Sequence, residues 1–197
     1  RQQAAEPPLA RRPQEPQKPY PYRESEVAYE NSDAQVKLAG TLTFPRGDGP
    51  FPAVLLITGS GPQDRDESLL GHRPFLVLAD FLTRRGIAVL RVDDRGVGGS
   101  TGDTTQATSE DFAGDVLAGV EFLKQRPEIN HSLIGLVGHS EGGLVAPLAA
   151  SRSADVAFIV MIAGPGVTGE EILYLQGELI AQAAGADPQA LARQRRL

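Results

Sequence analysis

Two hydrophobic patterns follow one another along the chain. Near its start, polar and apolar residues alternate: Val27 and Tyr29, then Val36, Leu38 and the run from Gly40 to Phe44. A period of two predicts a pair of half-buried antiparallel strands, with Asn31-Ser32-Asp33 as the turn. The pattern then changes. Ala53-Val54-Leu55-Leu56-Ile57 is a continuous apolar run bounded by turn residues, and Ile87–Val92, Leu133–Val137 and Val156–Ile162 are of the same kind. Runs of this type predict strands buried on both faces of a parallel sheet. Helical periods lie between them. Phe75, Leu76, Leu78, Ala79 and Leu82 share one face of a helix over about 74–85, ended by Gly86. Thr108 and Asp111 have the spacing of a capping box and open a helix to about Gln125, anchored by Phe112, Val116, Val120 and Phe122. Leu144–Ala150 lies in a further helix. Residues 170–184 and 188–196 read as helical, with Asp187 as an N-cap and Pro188 at the first helical position.

A hairpin followed by repeated strand–helix units predicts an α/β fold, with a mostly parallel sheet and right-handed crossovers. No internal repeat interrupts it. The 197 residues suffice for one domain with a sizeable core. Apolar residues make up 41% and charged residues 22%, which excludes whole-chain disorder and a coiled coil. No apolar run approaches the roughly 18–20 residues of a membrane span. The net charge of −6 gives no reason to expect nucleic acid as a partner. The absence of Cys excludes thiol catalysis and Cys-based zinc sites. Residues 1–24 differ from the rest. They hold six of the 15 prolines and carry a net +2, which leaves −8 for the remainder. This composition predicts an extended, solvated tail or linker, with a ligand for a proline-binding module as the alternative. The sequence starts without Met. A removed signal peptide would explain the exposed tail, so a periplasmic or secreted location is expected, with the cytoplasm as the alternative.

In parallel sheets, ligands bind beyond the carboxyl ends of the strands. The third apolar strand runs directly into Gly138-His139-Ser140-Glu141-Gly142-Gly143, with a helix after it. This is G-x-S-x-G between strand and helix. A serine on such a tight turn needs small residues two before and two after it, and the turn lifts its hydroxyl to a helix N-terminus, where the dipole favours negative charge. Ser140 is therefore the candidate nucleophile. The competing reading is a glycine-rich turn whose serine only caps the helix. A catalytic serine also needs an oxyanion hole. One donor is the N–H after the nucleophile, that of Glu141, and the other comes from the loop after an earlier strand, here Thr58-Gly59-Ser60-Gly61-Pro62. A dinucleotide fingerprint fails in both glycine runs, because positions 64 and 101 hold Asp64 and Thr101. The loop Asp93-Asp94-Arg95-Gly96-Val97-Gly98-Gly99-Ser100 follows the second apolar strand. It reads as structural, with Arg95 and an Asp clipping neighbouring loops together. Asp64 and Arg65, like Asp66, lie near the predicted mouth, as does His72. Each is a possible contributor to substrate binding, with solvated loop charges or a local structural role as the alternative.

These blocks carry a resemblance. The chain resembles α/β-hydrolases of the serine-hydrolase branch that includes S33-like esterases and aminopeptidases. It is similar to bacterial secreted or periplasmic members with the blocks TGSGPQDRDE, DDRGVGGSTGD and GHSEGG. The resemblance covers about residues 25–170. It implies Ser140 as the nucleophile, with the N–H groups of Glu141 and of Ser60 or Gly61 as the oxyanion hole. Thr58 stands where many relatives have His. The implied reaction is cleavage of a carboxylic ester, or a related acyl bond of a small molecule, through an acyl-enzyme, with no cofactor and no metal. An S33- or S9-like peptidase is the enzymatic alternative, and a non-catalytic binding protein of the same fold is the alternative of another class.

In this fold the acid and then the His follow the nucleophile. The histidines here are His72, His131 and His139, and none follows Ser140. His139 is expected to point away from the hydroxyl, and His131 lies at the wrong end of its strand. Asp155 is at the wrong edge, and Asp187 reads as a helix cap. The domain reading is a proline-rich tail over 1–24, the front part of an α/β-hydrolase core over 25–169, and the helical start of a cap insertion over 170–197. The triad acid and His are expected beyond Leu197, and the 197-residue chain alone is expected to be nearly inactive. Without the further strands, the last one would be an exposed, aggregation-prone edge.

Overall fold

The computed structural model describes residues 12–185, so the expected helix over 188–196 and its cap at Asp187 lie outside the described residues. The chain divides after Gly164 into two compact units. The first holds β1 (Arg23–Asn31), β2 (Val36–Phe44), β3 (Phe51–Ile57), α1 (Pro74–Thr83), β4 (Ala88–Val92), α2 (Ser109–Lys124), β5 (Ile129–His139), α3 (Gly142–Arg152) and β6 (Phe158–Ile162). The second holds α4 (Gly169–Ala183), opened by a capping box between Thr168 and Glu171.

The six strands form one sheet in the order β1-β2-β4-β3-β5-β6. β1 with β2 and β2 with β4 are antiparallel; β4 with β3, β3 with β5 and β5 with β6 are parallel. Strand periodicity then assigns the two faces. Leu55, Ile57, Leu90 and Leu136 point to a core shared with Val116, Val120 and Leu123 of α2 and Val145 and Ala149 of α3. Their neighbours Val54, Leu56, Val89 and Val137 point to the opposite face, against Phe75 and Ala79 of α1. The central strands read as continuous apolar runs because helices cover both faces.

Local signals set the helix ends. Thr108 Oγ1 accepts the Asp111 N–H, and Asp111 Oδ2 accepts the Thr108 N–H at 2.9 Å, which satisfies two otherwise unpaired donors at the start of α2. Gly86, at φ +93°, takes the left-handed position past the end of α1.

One expectation changes. Val156–Ile162 reads as a strand buried on both faces, yet all five residues of β6 are exposed, from Ile159 at 37% to Met161 at 45%. Among the described residues β6 has a strand partner on one side only, β5, and its exposure is that expected of a last strand with no further one beside it. Residues 12–22 make several polar contacts with the loop before α1. Glu15 pairs with Arg73, Gln14 meets His72 at 3.4 Å, and Arg12 Nη2 donates to the Leu70 carbonyl at 3.1 Å. The charged side chains spaced among the prolines find partners on the domain.

One buried ion pair ties the strand ends to α2. The Arg95 guanidinium donates to Asp115 through Nε, and through Nη2 at 3.0 Å. Asn31 Nδ2 donates to Asp115 Oδ1 at 2.7 Å, and the Asp111 carbonyl accepts from Arg95 at 3.1 Å. Arg95 and Asp115 are both buried, so removing Asp115 leaves the guanidinium with only the Asp111 carbonyl and the Asp111 carboxylate 4.0 Å away in a poorly hydrated place. Asp115→Ala is expected to destabilise the protein by about 3–5 kcal/mol, read as a lowered urea midpoint.

Candidate active site

The sheet order turns at β3, which has β4 on one side and β5 on the other. A crevice opens at such a point beyond the strand ends. Ile57 pairs in register with Gly138, so the chain leaves β3 through Thr58-Gly59 beside the place where it leaves β5 through His139-Ser140.

Ser140 stands at the tip of that turn at φ +52°, a left-handed conformation that costs a non-glycine residue about 1–2 kcal/mol. Its N–H donates to the Ile162 carbonyl at 2.9 Å, and its own carbonyl accepts the Gly143 N–H at 2.9 Å. A Cβ on Gly138 would stand 1.9 Å from the Gly142 carbonyl oxygen, and one on Gly142 would stand 2.3 Å from that of Ile57. The two glycines of the motif are therefore demanded by backbone contact. Among the described residues, no group hydrogen-bonds Ser140 Oγ.

Of the predicted donors, Gly61 and Glu141 line one cavity and Ser60 stands beside Gly61 in the loop after β3. The N–H of Glu141, at the start of α3, has no acceptor among the described residues, and neither do those of Ser60 and Gly61. Gly61, at φ +87°, borders open space. The Gly59 N–H is engaged, donating to Glu67 Oε1 at 2.7 Å. The Glu141 side chain accepts from Ser109 Oγ at 2.7 Å. Beneath the loop lies a small cavity of about 50 Å³ that reaches from Gly59, Gly61 and Glu141 into the core at Tyr29, Leu38 and Val145, and Ser140 is not part of its lining.

The charged residues of the long loop after β3 serve the scaffold. Asp64 Oδ1 accepts the N–H groups of Asp66 and Ser68, both at 3.0 Å. Arg65 grips Asp93 with two parallel bonds of 3.0 and 2.7 Å, and reaches Thr41 and Glu26 as well. Burial alone would raise the Asp93 carboxyl, but the Arg65 guanidinium and the N–H groups of Gly99 and Arg65 hold it below the usual carboxylate range. Asp66 pairs with buried Arg91. His72 bridges to Leu69 and faces Gln14. The loop carrying Asp93 is closed on itself: a Cβ on Gly98 would stand 2.3 Å from Asp93 Oδ2, and Ser100 Oγ donates to the Asp93 carbonyl at 2.7 Å, while Arg95 pairs with Asp115 of helix α2 and not with an Asp of a neighbouring loop.

The other histidines turn elsewhere. His139 directs Nδ1 to Glu67 Oε1 at 2.7 Å. His131, near the start of β5, directs Nε2 to the Arg126 carbonyl at 3.3 Å. Asp155 is paired with Lys124 at 2.8 Å. Among the described residues no group of three His, Asp or Glu side chains gathers to hold a metal ion. Glu67 is the site residue that sequence reasoning passed over. Its one signal is its place at the end of the run Asp64-Arg65-Asp66-Glu67, which reads as solvated charge until the fold is known.

Three comparisons place this arrangement among known proteins. The sequence profile of the family described as "Serine aminopeptidase, S33" matches residues 73–190. Esterase EstD of Thermotoga maritima is 38% identical over 156 residues, covering 76% of this chain and 37% of EstD. Esterase FrsA of Escherichia coli is 31% identical over 130 residues, covering 66% of this chain and 29% of FrsA. The chain thus spans about a third of the length of these curated relatives. Among solved structures, esterase Pf2001 of Pyrococcus furiosus superposes with a TM-score of 0.60 at 29% identity, over 73% of this chain and 50% of that one. The α/β hydrolase GrgF from Penicillium gives 0.64 at 24% identity, over 82% and 54%, and speaks to the fold alone.

Asp94 supplies a test of the crevice. Burial pushes its carboxyl from about 3.8 up to about 6, against the opposing effect of the Gln63 N–H and the Thr58 hydroxyl, which donate to it at 2.9 and 2.8 Å. Between those two values the folded protein holds a proton that the unfolded chain has released, so stability falls as pH rises through this window. Asp94→Asn is expected to remove that decline. It can keep both contacts, since its carbonyl accepts from Gln63 and the Thr58 hydroxyl can accept as well as donate. Denaturation midpoints measured from pH 4 to pH 7 check this, and a parallel decline in both proteins would contradict it.

Proposed function

Because the chain belongs to the serine aminopeptidase S33 family of the α/β-hydrolase superfamily, we propose that it is the nucleophile-bearing part of an ester hydrolase working through an acyl-enzyme on Ser140. The observation that carries the reading is the left-handed turn at Ser140, beside N–H groups with no acceptor on two adjacent strand ends. Strain of this kind persists where the surroundings over-determine it, and it gathers at functional sites.

Ser140 Oγ attacks the acyl carbonyl carbon and gives up its proton to a general base. The carbonyl oxygen becomes an oxyanion, held by the N–H of Glu141 and by that of Ser60 or Gly61. Donors fixed in place before the reaction stabilise that charge without reorganising during it. The tetrahedral intermediate collapses, the alkoxide leaves with the proton, and water then repeats the sequence on the acyl-enzyme. The base is a His from outside these 197 residues. In support, His139 and His131 are turned to other partners, and His72 sits against Gln14. A periplasmic or secreted location remains part of the proposal.

The family's description favours one second reading, an aminopeptidase. A panel of p-nitrophenyl esters and aminoacyl p-nitroanilides separates the two. Turnover of the esters alone supports the esterase, and turnover of the anilides alone overturns it. In the intact protein, a fluorophosphonate probe is expected to label Ser140, and Ser140→Ala is expected to abolish labelling and lower ester turnover by about 10⁴-fold or more. Equal labelling of both proteins would overturn the assignment.

A further inference from the structure

Glu67 is buried, 7% exposed, and stands at φ +52°. Three preceding residues hold it there. The Asp64 carbonyl accepts the Glu67 N–H at 2.9 Å, Arg65 is clamped on Asp93, and Asp66 is paired with Arg91. The run acts as a strap that delivers one carboxylate inward. A carboxylate away from water needs donors, and this one finds them on both sides of the crevice. Oε1 accepts the Gly59 N–H at 2.7 Å, from the end of β3. The same oxygen lies 2.7 Å from His139 Nδ1, at the end of β5, and since a carboxylate oxygen accepts, the imidazole donates. One atom therefore joins the loop that presents Ser60 and Gly61 to the residue just before Ser140. The approach is close: a Cβ on Gly59 would stand 3.2 Å from Ser140 Cβ. On either side of it the loop is otherwise tethered through Asp94, by Thr58 at 2.8 Å and Gln63 at 2.9 Å. Between these tethers the Ser60 carbonyl accepts from Gln63 Nε2 at 3.2 Å, a bond internal to the loop that does not tie it to the end of β5.

We propose that Glu67 is a positioning residue of the acyl-transfer reaction: its carboxylate oxygen, shared between Gly59 and His139, sets the place of the second oxyanion donor relative to Ser140. The proposal rests on Ser140 being the nucleophile. It occupies the Gly59 N–H, and it leaves Ser60 and Gly61 to face the substrate. An oxyanion donor acts on the transition state and not on the bound ester, so displacing it lowers kcat and leaves KM in place. The position of the acceptor matters here, not its charge. Gln keeps an acceptor oxygen at the same reach. Asp keeps the charge and withdraws it by one methylene.

The test uses the intact protein with p-nitrophenyl acetate, and phenylboronic acid as a mimic of the tetrahedral state. Glu67→Ala and Glu67→Asp are expected to lose roughly 10- to 100-fold in kcat, with KM within about threefold, and to bind phenylboronic acid more weakly in proportion. Glu67→Gln is expected to recover kcat to within about threefold of wild type. Should Glu67→Ala fail to fold, as judged by its thermal melt, the Asp and Gln variants decide. A full rate in Glu67→Asp, a raised KM at unchanged kcat, or a Gln variant as slow as Asp would overturn the proposal. Ser140→Ala runs alongside: if it retains turnover, the nucleophile assignment fails and this inference with it. If it is inactive while the Glu67 variants run at full rate, only the inference falls.

Discussion

The close crossing of backbone at Gly138 and Gly142 governs this structure. Neither position admits a methyl group, because a carbonyl oxygen occupies the place where it would go. The crossing lets β5 turn straight into α3, and the turn between them puts Ser140 in a left-handed conformation. Its strain, about 1–2 kcal/mol, is borne by a rigid frame. Ile162 at the end of β6 accepts the Ser140 N–H, and the first turn of α3 closes on the Ser140 carbonyl. The exposed edge strand is therefore part of what holds the elbow, and its single-sided pairing marks where the sheet stands open.

Electrostatics supplies the second layer. The acidic excess of the chain is not spread over its surface at random. Asp93, Asp94, Asp115 and Glu67 lie in the interior at the carboxyl ends of the strands or next to them, each with donors aimed at it. A guanidinium completes the pairing for Asp93 and for Asp115. Asp94 has no guanidinium partner; burial raises its carboxyl to about 6, against the N–H of Gln63 and the Thr58 hydroxyl that hold it down. The distinction separates carboxylates that lock loops from one whose charge is only partly compensated.

The order of the strands brings these groups together. β3 and β5 are separated by more than seventy residues between the centres of their loops, yet they are neighbours in the sheet. Pairing of Ile57 with Gly138 sets two loop ends side by side, and the contact between Glu67 and His139 spans 72 positions. No local feature of either segment announces the other.

The sequence by itself determined the strands, the helices and the elbow. Each depends on short-range physics: apolar periodicity, a capping box at Thr108, and glycines two residues either side of Ser140. Burial was legible where helices cover both faces and misleading at β6, because an apolar run records what a strand can tolerate and not what lies beside it. The roles of the charged residues were settled only by the tertiary structure. Arg65 reads as a mouth residue or a solvated charge, and His72 as a mouth residue or a local structural one, until their partners Asp93 and Gln14 appear, and the one signal of Glu67, its place at the end of the run Asp64–Glu67, does not distinguish it from solvated charge. A charge acquires its function from the group opposite it, and that group is placed by strand order and register, which local pattern does not encode.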